Sequence, residues 1–179
     1  MCLSLFPHVS LLRGTLATHI ICVCPFSGNV AYMKKASQID ETISLSRSFP
    51  ASRAVDGNTD SNIRHNSCAH PYTSRKNTLA WWKVDLNDTY RLYSVVIYNR
   101  DCCPHRLDGF TLSVGNSSQS DQLDKCGTHT GYVNTSASVT TSCEAVGRYL
   151  EFRRTNTTSE ANVANFCEVV VIGHLYIGK

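Results

Sequence analysis

The residues best suited to chemistry lie in one peptide, Arg100–Gly109, in which two adjacent cysteines stand between two arginines. If Cys102 and Cys103 are joined, the peptide bond holds their Cα atoms about 3.8 Å apart, closer than in most disulfides. The ring would be rigid and would present a small apolar surface between two guanidinium groups. A sugar offers the matching combination of an apolar C–H patch and surrounding hydroxyls. The peptide is therefore consistent with a sugar-binding surface, and equally with cysteines that form distant structural disulfides beside surface charges.

The composition indicates one globular domain in an oxidising compartment. A chain of 179 residues can bury a hydrophobic core in one domain with an appended segment. Its net charge of +3 comes from scattered residues, without the basic stripe typical of nucleic-acid-binding proteins. No run approaches the roughly 20 apolar residues that span a bilayer, so membrane insertion is not expected. Nine cysteines are unusual in a cytosolic enzyme and favour secretion.

Four glycosylation sequons also favour an extracellular protein. They begin at Asn87, Asn116, Asn134 and Asn156. Upstream, residues 16–26 are moderately apolar, follow Arg13 and end before a Ser-Gly pair, as in a signal peptide. We expect residues 1–28 to be a signal peptide or a disordered N-terminal segment. Its loss removes three of the nine cysteines and leaves an even number.

From Asn29 onward the pattern is typical of short β-strands separated by polar turns. Alternating or continuously apolar runs occur at 81–86, 92–98, 110–114, 149–152 and 167–172. Dipeptides of Gly, Asn and Asp predict turns at 57–58, 87–88, 108–109 and 115–116. Helical turns are expected only at 52–55 and in part of 36–43. The pattern predicts an all-β antiparallel sandwich in one domain, residues 29–176.

Short motifs follow one another in a recognisable order along this domain. They are Asn29-Val30-Ala31, 54–62, Ser67-Cys68-Ala69-His70, 81–86, 100–109, Gly147-Arg148-Tyr149 and Cys167-Glu168-Val169. The vicinal cysteines between arginines, with Cys-x-His upstream, are the most specific. In this order the chain resembles the F-type lectins, the fucolectin family of eel agglutinin. The resemblance implies that the sandwich is a jelly roll, as in discoidin domains.

The resemblance also implies a sugar site. In the family a histidine and two arginines hold a terminal L-fucose, and the vicinal disulfide packs against the sugar ring. The matching residues are His70, Arg100, Arg106, Cys102 and Cys103, with Asp101 and Asp108 as candidates for orienting the arginines. Guanidinium groups supply fixed N–H donors for hydroxyls, and a histidine can either donate or accept.

Two differences from the family bear on which sugar is preferred. The family motif has one residue between its first arginine and the aspartate, whereas Asp101 follows Arg100 directly. An aromatic residue that helps to close the pocket for the fucose methyl group in relatives is replaced by Arg64. We therefore expect weaker fucose binding than in relatives, or a preference for another glycan.

A second set of residues is suited to calcium. Asp56, Asn58, Ser67 and Glu168 all carry hard oxygen donors, which calcium prefers. The resemblance adds the main-chain carbonyls of Arg53, Asn58 and Cys167. Such an ion would be structural rather than catalytic. The alternative is that Asp56-Gly57-Asn58 is only a turn.

The six remaining cysteines allow 15 pairings, so their number alone does not choose among them. The resemblance implies the pairs Cys68–Cys167, Cys102–Cys103 and Cys126–Cys143, the last of which would clip a polar excursion at 127–142. A zinc site is the alternative use of the cysteines and histidines. Its candidate ligands are His65, Cys68, His70, Cys102, Cys103 and His105. Adjacent cysteines lack the gap that is usual in chelating pairs, which disfavours zinc.

An enzyme is not expected. A glycosidase needs two carboxylates flanking one bond, and the two aspartates of the 100–109 peptide lie beside arginines. The sequence instead indicates a secreted, calcium-stabilised lectin that binds fucosylated glycans on microbial or host cell surfaces, with a role in innate immunity. A homo-oligomer is expected, as in trimeric relatives, because clustering single-sugar sites raises avidity. The alternatives are a discoidin-like module that binds cells or phospholipids, and a degenerate lectin that has lost its sugar site.

Overall fold

A computed structural model describes residues 27–39, 49–75, 78–155 and 162–178. Within these ranges the chain forms antiparallel β-strands and short 3₁₀ turns, without an α-helix. The strands are β1 (Gly28–Asn29), β2 (Lys35–Gln38), β3 (Trp81–Tyr98), β4 (Asp108–Gly115), β5 (Asp124–Tyr132), β6 (Ser138–Arg154) and β7 (Glu168–Leu175). The 3₁₀ turns are Ala51–Ala54, Ile63–His65, Pro104–Leu107 and Ser120–Gln122. No helix in the described ranges has the length and apolar character needed to cross a membrane.

The two longest strands, β3 and β6, each contribute to both layers of the sandwich. The first part of β3 pairs with β2 and with the second part of β6, which continues to β4 and β5. The second part of β3 pairs with the first part of β6 and with β7, which continues to β1. Register shifts between Asp85 and Tyr90 and between Leu92 and Ser94 separate these parts of β3. The fold is the antiparallel jelly-roll sandwich that the sequence predicted.

The core lies between the two layers and is built from inward-facing side chains of alternating positions. The largest fully buried apolar side chains include Trp82, Phe110, Leu112, Leu150, Phe152 and Phe166. Trp82 reaches the 3₁₀ turn Ala51–Ala54 and donates a hydrogen bond from Nε1 to the Ala51 carbonyl at 3.0 Å. Burying each large side chain contributes on the order of 1.5–3 kcal/mol. The core therefore holds the short turns that lead into the loops at the ends of the strands.

Several local predictions were wrong because strand pairing outweighed turn chemistry. Asn87 and Asp88 lie inside β3, where Asn87 adopts a left-handed conformation (φ 72°) at the first register shift instead of ending the strand. Asp108-Gly109 begins β4 with a similar irregularity. Of the stretch 36–43, in part of which a helical turn was expected, the first residues lie in β2, and residues 40–43 lie outside the described residues. The expected excursion at 127–142 is largely strand, since β5 and β6 occupy its two ends, although β4 lies between these two strands in the sheet. By contrast, the 3₁₀ turn Ala51–Ala54 matches the helical turn expected at 52–55.

The structure joins Cys68 to Cys167, Cys102 to Cys103 and Cys126 to Cys143. The first pair closes a sequence separation of 99 residues, which contributes about 4–5 kcal/mol in the chain-entropy model. With all six cysteines in disulfides, thiolates are not available to a metal, and the zinc alternative is wrong. Three of the four sequon asparagines, Asn87, Asn116 and Asn134, are exposed. The fourth, Asn156, and nearly all of the N-terminal segment lie outside the described residues, so both stay predictions.

Candidate functional site

Three loops meet at one end of the sandwich, around the start of the vicinal-cysteine peptide. The Asp101 N–H donates to the Ser61 carbonyl at 2.9 Å, and the Ser136 N–H donates to the Arg100 carbonyl at 2.9 Å. The Ser136 hydroxyl also donates to the Ser61 hydroxyl at 3.0 Å. At the end of β3, the buried Asn99 side chain donates to the Val133 carbonyl at 2.7 Å. The backbone that carries Arg100 is thus held from both sides.

The vicinal disulfide sits at the bend between this loop and a 3₁₀ turn. Cys103 adopts a left-handed conformation (φ 60°, ψ 55°) and caps the turn Pro104–Leu107. The Arg106 N–H donates to the Cys103 carbonyl at 2.9 Å, and the side chain of Leu107 is buried in the core. The hydrogen bond from the Arg106 N–H and the burial of the neighbouring Leu107 thus fix the position of Arg106 relative to the disulfide.

His70 reaches the same region from a different part of the fold. The preceding residue, Ala69, bridges to Phe166 in the core, and the His70 N–H donates to the Phe49 carbonyl at 3.3 Å. The His70 ring lies edge-on to Phe49, with centroids 5.8 Å apart, and stacks with Tyr72 at 6.4 Å. Its Nε2 is buried and has no hydrogen-bond partner in the structure. This is a buried polar atom available to a ligand.

The shifted pKa values of His70 and Arg100 indicate that both residues lie close to Arg106. Burial, followed by the positive charges of Arg106 and Arg100, lowers the pKa of His70 from 6.5 to about 4. Burial also lowers the pKa of Arg100, with the Arg106 charge adding to the effect and Asp101 opposing it. The Asp101 carboxylate lies 3.7 Å from Arg100 Nε, consistent with the orienting role predicted for it. At neutral pH the site therefore combines two cations with an uncharged imidazole.

The structure brings three of the residues predicted to bind sugar close to one another. His70 lies near Arg100 and Arg106, Arg106 lies in the turn that follows the vicinal disulfide, and Asp108 begins β4 half-buried. Sequence reasoning missed Phe49 and Tyr72, which flank the His70 ring. The position of Tyr72 two residues after His70 was a signal that could have been used. No local sequence pattern predicts the role of Phe49, which contacts the His70 ring through long-range packing.

Of the residues predicted to bind calcium, Asp56 lies near Glu168. The Glu168 side chain is fully buried and accepts a hydrogen bond at Oε2 from the Gly57 N–H at 3.2 Å, while its Oε1 has no partner. Burial, together with the charge of Asp56, raises the pKa of Glu168 to about 7. The Asp56 carboxylate accepts from the Asn58 N–H at 2.9 Å, and burial lowers the pKa of nearby Arg53 against the opposing charge of Asp56. A buried carboxylate with an unpaired oxygen is costly unless a cation compensates it.

The remaining oxygen donors lie beside the long-range disulfide. Ser67 is fully buried next to Cys68, and its hydroxyl donates to the Asn62 carbonyl at 2.9 Å. Cys167 directly precedes Glu168, so the disulfide brings both segments together. Across the described residues, no three His, Cys, Asp or Glu side chains cluster closely enough to hold a metal by themselves. A calcium ion here would need the main-chain carbonyls and the hydroxyl as well as the two carboxylates.

Comparison with known proteins places this geometry in a family. The model for NedA-like, galactose-binding domains matches residues 53–152. Fucolectin of Anguilla anguilla is 37% identical over 128 residues, which make up 68% of this chain and 78% of that protein. The matched segments span between 34% and 74% of the other eel fucolectins.

Solved structures agree with the sequence comparison. The crystal structure of an F-lectin (fucolectin) from the serum of striped bass, Morone saxatilis, superposes with a TM-score of 0.69 at 30% identity. That match covers 86% of this chain but only half of the bass chain. A fucose binding module of Streptococcus pneumoniae superposes with a TM-score of 0.61 at 26% identity, covering 80% of this chain and 93% of the module. In sequence and in fold, this chain belongs to the F-type lectin (fucolectin) family.

Proposed function

We propose that this protein is a secreted lectin that binds terminal L-fucose on glycans. One observation carries the proposal: His70, Arg100 and Arg106 lie close together next to the vicinal-cysteine loop, and the buried Nε2 of the imidazole has no hydrogen-bond partner in the structure. His70 comes from a different part of the chain than the two arginines, and the three side chains have no core-packing function in common. Their convergence supports a ligand with several hydroxyl groups and one apolar face.

The chemistry of the site suits fucose. The two guanidinium groups donate hydrogen bonds to ring hydroxyls and the ring oxygen, and being charged they make stronger bonds than neutral donors. His70 stays uncharged at neutral pH because its pKa is about 4, so it can donate from one nitrogen and accept at the other. The disulfide provides an apolar surface for the C–H face of the sugar. Binding requires no catalytic group, consistent with a lectin rather than an enzyme.

Relatives support the same ligand. The eel and bass proteins are fucolectins, and the pneumococcal protein is a fucose binding module that this chain covers almost completely. That module supports fucose binding by a unit of this size. This chain spans half of the length of the bass lectin.

A calcium ion would stabilise the fold beside the sugar site. Its candidate ligands are the side chains of Asp56, Asn58, Ser67 and Glu168 and the carbonyls of Arg53, Asn58 and Cys167. The orphaned Oε1 of buried Glu168 supports this assignment, because a cation would supply the charge that the protein does not. The ion would hold the loop after Ala51–Ala54 against the Cys68–Cys167 disulfide.

Secretion, glycosylation and oligomerisation complete the proposal. The three disulfides and the exposed sequon asparagines Asn87, Asn116 and Asn134 support an extracellular glycoprotein. Single-sugar sites bind weakly, so a homo-oligomer that clusters them would give useful avidity for glycans on microbial or host cells. Recognition of such surfaces is a task of innate immunity.

A glycan array tests the proposal. The full chain is applied to fucose-terminated and galactose-terminated glycans with calcium present, and again with a chelator. The expected result is a signal confined to fucosylated glycans that weakens when calcium is removed. A folded protein that binds no fucosylated glycan would contradict the proposal, and binding to phospholipid vesicles instead would favour a discoidin-like module.

A further inference from the structure

A cavity of about 340 Å³ opens beside the residues assigned to fucose. Its lining comes from one 3₁₀ turn and from the vicinal-cysteine loop: Asn62, Ile63, Arg64, Arg100, Asp101 and Cys102. Arg100 and Cys102 also belong to the proposed sugar site. A group bound in the cavity and a fucose on the disulfide would therefore be neighbours. The volume falls at the lower end of the range for small-molecule sites, enough for one further sugar residue.

The turn that carries Arg64 is well fixed. The Asn62 side chain accepts a hydrogen bond from the Arg64 N–H at 3.0 Å, and the Asn62 carbonyl accepts one from the buried Ser67 hydroxyl at 2.9 Å. Asn66 ends the turn in a left-handed conformation (φ 64°). The Arg64 side chain is exposed at the cavity, so its guanidinium group can reach a ligand from a backbone that does not need to rearrange.

The acidic groups of the neighbourhood already have side-chain partners. Asp60 Oδ2 lies 2.7 Å from His65 Nδ1, and Asp101 Oδ1 lies 3.7 Å from Arg100 Nε. In the part of the chain that the structure describes, no carboxylate lies within ion-pair distance of Arg64. The lining thus carries two guanidinium groups against one carboxylate and has a net positive charge.

We propose that this cavity is a subsite for an anionic substituent, a sulfate or a carboxylate, on the sugar next to fucose. The inference rests on the proposed function, since it assigns the neighbour of a bound fucose. A guanidinium fork matches the oxygens of a sulfate or carboxylate with two parallel hydrogen bonds. Because Arg64 is exposed, the added affinity is modest, about two- to fivefold, and it falls as salt screens the charges.

Isothermal titration calorimetry on a matched set of oligosaccharides tests the subsite. The set contains one neutral fucosylated oligosaccharide, the same compound carrying a sulfate or a sialic acid on the sugar next to fucose, and the sulfated compound without fucose. The full chain should bind at least one of the anionic fucosylated compounds about two- to fivefold more tightly than the neutral one, at low salt only. The compound that shows the gain distinguishes a sulfate from a carboxylate.

Three variants identify the group responsible. Arg64→Ala should remove the gain, so that the anionic and neutral fucosylated compounds bind this variant with equal affinity, whereas Arg64→Lys should keep part of the gain. Lys35→Ala, which removes an equal charge from an exposed position on β2, should leave the gain unchanged.

Distinct results would overturn the inference. Equal affinity for the neutral and both anionic compounds would exclude the subsite while leaving fucose binding intact. An equal loss in Lys35→Ala would show a long-range charge effect, and tight binding of the fucose-free sulfated compound would show general anion binding. Failure to bind any of the fucosylated compounds would instead refute the proposed function, and the subsite with it.

Discussion

Lowering the pH should destabilise the protein through His70, and the size of the effect can be worked out from the site. The folded state holds this imidazole uncharged because it is largely buried and faces Arg106 and Arg100, which lowers its pKa from 6.5 to about 4. Between these two pH values the unfolded chain binds a proton that the folded chain does not. The contribution of this group to the free energy of unfolding is therefore fully present above about pH 6.5, and it is lost as the pH falls towards 4.

The linkage relation gives the magnitude. Relative to neutral pH, the loss is about 1.2 kcal/mol at about pH 5.5 and about 2.4 kcal/mol at about pH 4.5. His70→Gln keeps a donor and an acceptor at the site but cannot take up a proton. The free energy of unfolding of the wild type minus that of this variant should therefore decrease by these amounts as the pH falls. Contributions from the other titratable groups are common to both proteins and cancel.

Urea denaturation at a series of pH values, with the disulfides intact, measures this difference. Direct titration of the imidazole by NMR in the wild type provides an independent value that does not require the variant to fold. A free-energy difference that stays constant with pH, or an imidazole that titrates near 6.5, would refute the placement of His70 between the two arginines.

Three further predictions concern the sugar site and the ion. Arg106→Ala should weaken fucoside binding at least about tenfold in calorimetry, because a charged hydrogen-bond donor is lost, with little change in melting temperature; a large fall would show that Arg106 is structural. Glu168→Ala should lower the melting temperature when calcium is present, and should change it little once a chelator has removed the calcium. The control Glu144→Ala, at an exposed position on β6, should have the melting temperature of the wild type in both conditions. Replacing Cys102 and Cys103 together by serine should reduce fucoside affinity about tenfold, because the apolar contact with the sugar is lost. Since this disulfide joins adjacent residues, its loss should change the melting temperature little, and a large fall in melting temperature would show a structural role instead.

The sequence predicts those parts of the fold in which side-chain periodicity and burial coincide. Phe110–Val114 alternates clearly and lies in β4 as expected. The strand β5, Asp124–Tyr132, was missed because it is mostly exposed and polar, so its pairing with β4 leaves no periodic signal. The Asn87-Asp88 dipeptide fits either a turn that ends a strand or a bulge within one. Only the pairing of β3 with β6 decides between these two structures.

The candidate site divides in the same way. The vicinal cysteines and their arginines are contiguous, so the sequence points to them directly. The contacts that hold Arg100, from Ser61 and Ser136, join residues far apart in the chain. The same is true of the ring of Phe49 against His70. Such contacts follow from the topology of the sandwich and have no local pattern.

The Cys68–Cys167 disulfide lies next to both the proposed ion site and the proposed sugar site, and would be a shared covalent anchor for them. His70 follows one of its cysteines by two residues and Glu168 follows the other directly, while Ala69 and Phe166 bridge the two segments. An ion held at Glu168 and a sugar held at His70 would therefore order the same short piece of backbone. Thermodynamic reciprocity then requires that any gain the ion gives to sugar affinity is returned in full to the affinity for the ion. Cleaving this single bond would uncouple the pair and would weaken both functions at once.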